Sequence, residues 1–239
     1  MKEAILVHGL GLSGAVWAEC NFKNMQVYTP DLLGFGENNN HRITSTTEQL
    51  EFLIQTVGAK QWNRSHVVLH SIASMLVIDI LASGHFPGSI TLVEGNLFSD
   101  DASWSREIAE LSSSEYQLWQ RRLKDNAQLI LRTQLMSSHP KSSIEKWSAG
   151  FRQFDPAALQ WMARAGSRLT DEGVILDSFC KIPLPRLFIA GDSKSSSGLK
   201  RQKLEQCDVS VQVLKNCGHY PMLDDPKQFV ATIKKFIGD

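Results

Sequence analysis

No charge of one sign dominates this chain: Lys+Arg and Asp+Glu both total 25, for a formal net charge of zero. A general nucleic-acid binder carries a basic excess or stripe, so that class is set aside. Long apolar runs are missing too. The longest, around Met75 to Ala82, is interrupted by Asp79 and is too short to span a bilayer. The four cysteines, Cys20, Cys180, Cys207 and Cys217, show no Cys-x-x-Cys spacing, and no histidine cluster joins them as metal ligands. They read as four reduced thiols of a cytosolic protein. Met1-Lys2-Glu3 runs straight into strand-like Ala4-Ile5-Leu6-Val7, which leaves no room for a signal peptide. The expectation is a soluble, cytoplasmic protein, monomeric or homodimeric, with neither nucleic acid nor membrane as partner. Internal repeats are absent, and the one biased tract, Ser193–Gly198, reads as a flexible loop.

At 239 residues and 42% hydrophobic, the chain is long and apolar enough for one large α/β domain carrying an insertion. Six short apolar runs read as strands: Ala4–Val7, Met25–Tyr28, His66–Leu69, Ile90–Val93, Leu187–Ala190 and Val209–Leu214. Runs apolar on both faces suit a mostly parallel sheet covered by helices on each side. Ser45 and Glu48 have capping-box spacing, and Leu50, Leu53, Ile54 and Val57 fall on one helical face. Phe229, Ile233, Phe236 and Ile237 make a second apolar stripe near the C-terminus. Residues 99–171 differ, with no convincing strand and helical signals broken at His139-Pro140 and Asp155-Pro156. They also hold Trp104, Trp119, Trp147 and Trp161, four of the six tryptophans. The division expected is a sheet-bearing core of residues 1–98 and 172–239 with a helical insertion, 99–171.

Two sites carry chemistry. In Val67-Val68-Leu69-His70-Ser71-Ile72-Ala73-Ser74 a strand breaks into a helix at a serine, which holds the hydroxyl clear of the sheet edge beside free helix N–H groups. After the first strand, His8-Gly9-Leu10-Gly11-Leu12-Ser13-Gly14 contains a Gly-x-Gly-x-x-Gly match, with Asp31 downstream where a dinucleotide-binding fold places its ribose-binding acid. That rival is disfavoured: about ten residues separate Gly14 from the next strand, too few for the helix that receives a pyrophosphate. No Tyr-x-x-x-Lys follows Tyr28, Tyr116 or Tyr220 either. No cofactor is expected.

Four motifs taken in order resemble the α/β-hydrolase superfamily with a helical cap, over essentially all of the chain outside the insertion. His8-Gly9-Leu10-Gly11 with Trp17 resembles its oxyanion loop, and Asp31-Leu32-Leu33-Gly34-Phe35-Gly36 resembles the loop after the next strand. Ser71 falls at the nucleophile elbow. Gly218-His219-Tyr220-Pro221, with Asp224 and Pro226, resembles the loop carrying the catalytic histidine. The resemblance implies an α/β-hydrolase fold with Ser71 as nucleophile, His219 as base, and the N–H groups of Leu10 and Ile72 as the oxyanion hole. His70 is not expected to be the base, because neighbouring strand residues point to opposite faces.

Two departures from the family pattern stand out. Gly191-Asp192-Ser193-Lys194 puts a lysine where the acid is usual, and a cation there cannot orient an imidazole. Asp192 lies two residues out of register. Glu94, ending the strand next to the nucleophile's, is preferred, since one branch of haloalkane dehalogenases takes its acid from that place. The elbow carries Leu69 and Ala73 where the family has glycines, an argument for weak or altered catalysis. Trp104, Trp119, Trp147, Phe151, Phe154, Trp161 and Met162 either roof an apolar pocket or pack helix on helix. The resulting expectation is a cofactor-free serine hydrolase with Ser71, His219 and Glu94 as its candidate catalytic residues. Its substrate is a small, largely apolar ester, lactone or thioester. The alternative is a non-hydrolytic member used for ligand binding, cyclisation or lyase chemistry.

Overall fold

In the computed structural model, which describes residues 2–192 and 198–238, the six apolar runs form strands β1 (Lys2–Val7), β2 (Met25–Tyr28), β3 (His66–His70), β4 (Ser89–Val93), β5 (Arg186–Gly191) and β6 (Ser210–Leu214). They pair in parallel in the order β2-β1-β3-β4-β5-β6. The interior strands β1, β3, β4 and β5 are almost wholly buried, which is why each appears as an unbroken apolar run rather than an alternating one. The chain leaves β1 towards β2 at one edge and then crosses to β3 on the other side. That reversal opens a crevice at the carboxyl ends of β1 and β3, the usual ligand position in open α/β sheets.

Three helices precede the insertion: α1 (Thr46–Val57), α2 (Ala59–Trp62) and α3 (Val77–Ser83). The Oγ of Ser45 accepts the Glu48 N–H at 3.1 Å and caps α1. The reciprocal half of the box is shifted by one residue, since the Glu48 carboxylate takes the Thr44 N–H instead. Buried Gln49 then pins the next loop to α1 through both amide atoms, which bond the N–H and carbonyl of Leu33.

Between β4 and β5 the expected insertion is built mainly of helices: α4 (Ser103–Glu110), α5 (Ser113–Asp125), α6 (Ala127–Gln134), α7 (Lys141–Trp147) and α8 (Pro156–Asp171). The two X-Pro breaks fall at helix starts, with Pro140 before α7 and Pro156 opening α8 behind an Asp155 cap. This segment rests on the loops at the carboxyl edge of the sheet. Phe154 bridges Phe35, Gly150 lies against the backbone of Leu12, and Gly166 of α8 leaves room for the side chain of Ile72. The helices α9 (Val174–Lys181), α10 (Gly198–Glu205), α11 (Pro221–Asp224) and α12 (Pro226–Phe236) complete the chain. Phe229 of α12 stacks on Trp17, with ring centroids 5.9 Å apart.

The reading of four reduced thiols is corrected. Cys180, at the end of α9, is bonded to Cys207 before β6, with Cα atoms 5.2 Å apart, while Cys20 and Cys217 are free and buried. A separation of 27 residues carries no local signal. Convergence of the two segments on Arg186 brings the sulfurs together: its guanidinium donates to the carbonyls of Phe179, Cys180 and Cys207. Lys194 and most of the serine-rich tract fall outside the described residues.

Candidate active site

Each candidate for the serine, acid and base roles lies in the loop or turn after the carboxyl end of a strand, so the parallel sheet delivers them to one edge. Ser71 follows β3 and adopts φ +55°, a strained left-handed backbone for a non-glycine residue. A six-residue 3-10 stretch, Ser71–Leu76, then leads into α3. The turn after the serine is therefore tighter than the α-helix that the sequence suggested. Leu69 is fully buried in β3, in register between Val7 of β1 and Leu92 of β4. Ser71 keeps its strained φ beside it, so the leucine is accommodated without relaxing the elbow.

His219 lies in the loop after β6, and its Nε2 is 3.0 Å from Ser71 Oγ. Glu94 follows β4, also at positive φ (+48°). One carboxylate oxygen accepts the Gly191 N–H at 2.6 Å. The other lies 3.5 Å from His219 Nδ1, an ion-pair distance longer than a good hydrogen bond. Such contacts commonly tighten only once substrate binds. Asp192 is turned elsewhere, its carboxylate accepting the Cys217 N–H at 3.3 Å. Of the two candidate acids, Glu94 is thus the one beside the imidazole.

Leu10 lines the same cleft as Ser71, Glu94 and His219, and Ile72 is the first residue after the serine. Gly11, at φ +70°, supplies the bend that keeps this loop close. His8 is buried beneath it. Its Nδ1 donates to the Gly9 carbonyl and its Nε2 accepts the Leu32 N–H, and burial holds its pKa below the usual histidine value. Asp31, the acid of the dinucleotide rival, is committed to the Gly14 and Glu37 N–H groups at 2.6 and 2.8 Å. Only a four-residue 3-10 turn starts at Gly14.

Two residues outside the predicted set shape the site. His70 is buried under the His219 loop, with its Nε2 2.9 Å from the His219 carbonyl oxygen. The Asp224 carboxylate accepts the Gly218 N–H at 2.7 Å through one oxygen and the Met136 N–H at 2.7 Å through the other. It thereby ties the histidine loop to the link between α6 and α7. The sequence offered both only as neighbours of a motif, and the His70–His219 and Met136–Asp224 bonds span 149 and 88 residues of chain.

The cleft has a volume of about 630 Å³. Its wall mixes Trp104, Met136 and Phe188 with Asp100, Asp101, Glu107 and Lys200. Of the seven apolar side chains expected to roof it, Trp104 alone lines it among the described residues. Trp147, Phe151, Phe154 and Met162 are buried among the helices, and Trp119 stacks on Tyr116. The wall is therefore mixed rather than apolar. Among the described residues, no group of three His, Cys, Asp or Glu side chains is gathered as a metal site. None of their helices is long and apolar enough to cross a membrane.

Residues 4–232 match the Alpha/beta hydrolase family. The chain belongs to that family. This hydrolase is 28% identical over 251 residues to a pimeloyl-[acyl-carrier protein] methyl ester esterase of Aeromonas hydrophila, an alignment covering 99% of this chain and 95% of the relative. Its fold superposes on an esterase from Exiguobacterium antarcticum with TM-score 0.75 at 14% identity, covering 100% of this chain and 92% of the other. A bromoperoxidase from Bacillus anthracis gives 0.72 at 17% identity, with the same coverage. At such identities these two structures speak for the shared hydrolase fold alone.

Proposed function

We propose that this hydrolase is a serine esterase working through an acyl-enzyme on Ser71. The observation that carries the reading is the contact between His219 Nε2 and Ser71 Oγ at 3.0 Å, with Glu94 on the far side of the ring. A neutral hydroxyl needs a base to accept its proton during attack, and this imidazole lies within hydrogen-bond reach. Ser71 Oγ attacks the ester carbonyl carbon while His219 takes the hydroxyl proton. Glu94 steadies the imidazolium. The N–H groups of Leu10 and Ile72 receive the negative charge on the former carbonyl oxygen. Collapse expels the alcohol, protonated by His219; water then attacks the acyl-enzyme by the same base, releasing the acid and restoring Ser71.

Residues 99–171 act as a cap over this chemistry, in keeping with their contacts to the loops that carry Leu12, Phe35 and Ile72. The substrate is an ester, lactone or thioester whose acyl part presents apolar surface to Trp104 and Phe188 and tolerates polar groups beside Asp101 and Lys200. The activity named for the Aeromonas relative makes methyl esters of carrier-bound acyl chains the first compounds to try. A fluorophosphonate probe tests the nucleophile: wild type is labelled and Ser71→Ala is not. Labelling that persists in Ser71→Ala removes Ser71 from the role. An acyl-chain-length series of chromogenic esters, run with carrier-bound methyl esters, then defines the substrate.

A further inference from the structure

We propose that His70 is a positioning residue that holds the His219 loop and the Gly9–Leu10 loop in register with Ser71, a role that rests on the serine-hydrolase reading. His70 is 1% exposed and precedes the nucleophile directly. Its Nε2 meets the His219 carbonyl oxygen at 2.9 Å, and because a carbonyl only accepts, the proton of the neutral ring sits on Nε2. The rings of His70 and His219 are 5.0 Å apart. On its other side His70 abuts Gly9: a Cβ added there would lie 2.7 Å from His70 Nδ1 and 3.1 Å from the Cβ of Ser71. One imidazole is therefore packed against the nucleophile's turn, the base's backbone and the loop that leads to Leu10.

The chemistry of the ring fits that place. The His219 carbonyl lies just before α11, whose own backbone bonds run to Tyr220 and Pro221, so His70 is the donor that satisfies it. The Nδ1 of His70 is buried with no hydrogen-bond partner among the described residues, so the ring is kept for its single donor and its shape. Burial, followed by the nearness of His219, pushes the His70 pKa well below the ordinary histidine value. The group beside the base thus stays uncharged when His219 becomes an imidazolium. A lysine or arginine would supply the hydrogen bond but would repel that imidazolium; a phenylalanine would fill the space without holding the carbonyl.

The test compares wild type, His70→Phe, His70→Gln and Ser71→Ala on p-nitrophenyl butyrate, with fluorophosphonate labelling to count active sites. Freeing the His219 loop by a fraction of an ångström should lower kcat of His70→Phe about 10- to 100-fold. KM should stay within about twofold, because the acyl cavity is untouched, and probe labelling should slow in step with kcat. Glutamine places an N–H where the imidazole Nε2–H lies, so His70→Gln should recover to within about threefold of wild type. A merely space-filling role predicts the opposite ranking, with the phenylalanine variant the more active. The proposal is overturned by a His70→Phe enzyme with wild-type kcat, or by a glutamine variant as impaired as the phenylalanine one. Should His70→Phe lack a cooperative thermal transition, His70→Met takes its place as the donor-free variant. Labelling of wild type but not of Ser71→Ala establishes the serine reading separately, so a flat His70 series then overturns the positioning role alone.

Discussion

Replacing Glu94 with glutamine removes one negative charge and almost no volume. The amide oxygen can still accept the Gly191 N–H that now meets the carboxylate at 2.6 Å, so the strand end keeps its shape. What disappears is the attraction for a protonated His219. At 3.5 Å and an effective dielectric of about 20, Coulomb's law gives ~4.7 kcal/mol. Both side chains retain some solvent contact, 14% for Glu94 and 24% for His219. Screening brings the working figure to about 3–4 kcal/mol, a roughly 10²- to 10³-fold fall in kcat. KM should change little, since the charge matters only when the proton has moved to the imidazole. Steady-state kinetics on a chromogenic ester, with Asp192→Asn in parallel, reads the difference. The Asp192 variant should stay within about twofold of wild type, its carboxylate being exposed and, among the described residues, bonded to the Cys217 N–H rather than to His219. A Glu94→Gln enzyme as fast as wild type, beside an Asp192→Asn enzyme that has lost turnover, would refute the assignment.

The fold makes further commitments. Gly166→Val places a Cβ 2.6 Å from the Ile72 side chain, and overpacking of about 1–3 kcal/mol should lower Tm by about 2–10 °C; an unchanged melt in scanning calorimetry contradicts the packing. A thiol count under denaturing, non-reducing conditions should find two free cysteines rather than four, and reduction should cost about 3.5 kcal/mol from the 27-residue separation. His66 is pushed down to about 3 by burial. Its folded pKa lies below its unfolded one, so its share of stability is whole above pH ~6.5. That share is lost as pH falls towards 3, at up to about 1.4 kcal/mol per unit. His66→Gln should flatten the urea-midpoint profile between pH 4 and 6.5 by about one proton; an unaltered slope counts against the buried neutral imidazole.

The sheet was legible because interior parallel strands are buried on both faces, which forces Ala4–Val7 and His66–Leu69 to be apolar without alternation. The site was legible because a parallel sheet brings every strand's carboxyl end to one edge, so Ser71, Glu94 and His219 needed only strand assignments to be placed together. Glu94 could be placed nearer the imidazole than Asp192 because it follows the strand beside the nucleophile's own. Other features depend on how elements rotate against each other, which no local pattern records. The insertion's aromatic residues were visible, but which of them turned to the cleft was set by helix packing, and that left Trp104 facing it and Trp147 buried. The Cys180–Cys207 bond and the grip of His70 on the His219 carbonyl likewise join segments with no spacing signal between them.

Asp224 fastens two separate segments with a single carboxylate. One oxygen holds the peptide just ahead of the base; the other holds the joint at Met136, and Ser137 Oγ adds a bond to the Asp224 carbonyl at 3.1 Å. An outward swing of that joint has two courses. It snaps the Met136 bond, or it drags Gly218 along and draws the imidazole off the hydroxyl. The joint and the base therefore share one anchor, and a disturbance at either end is felt at the other.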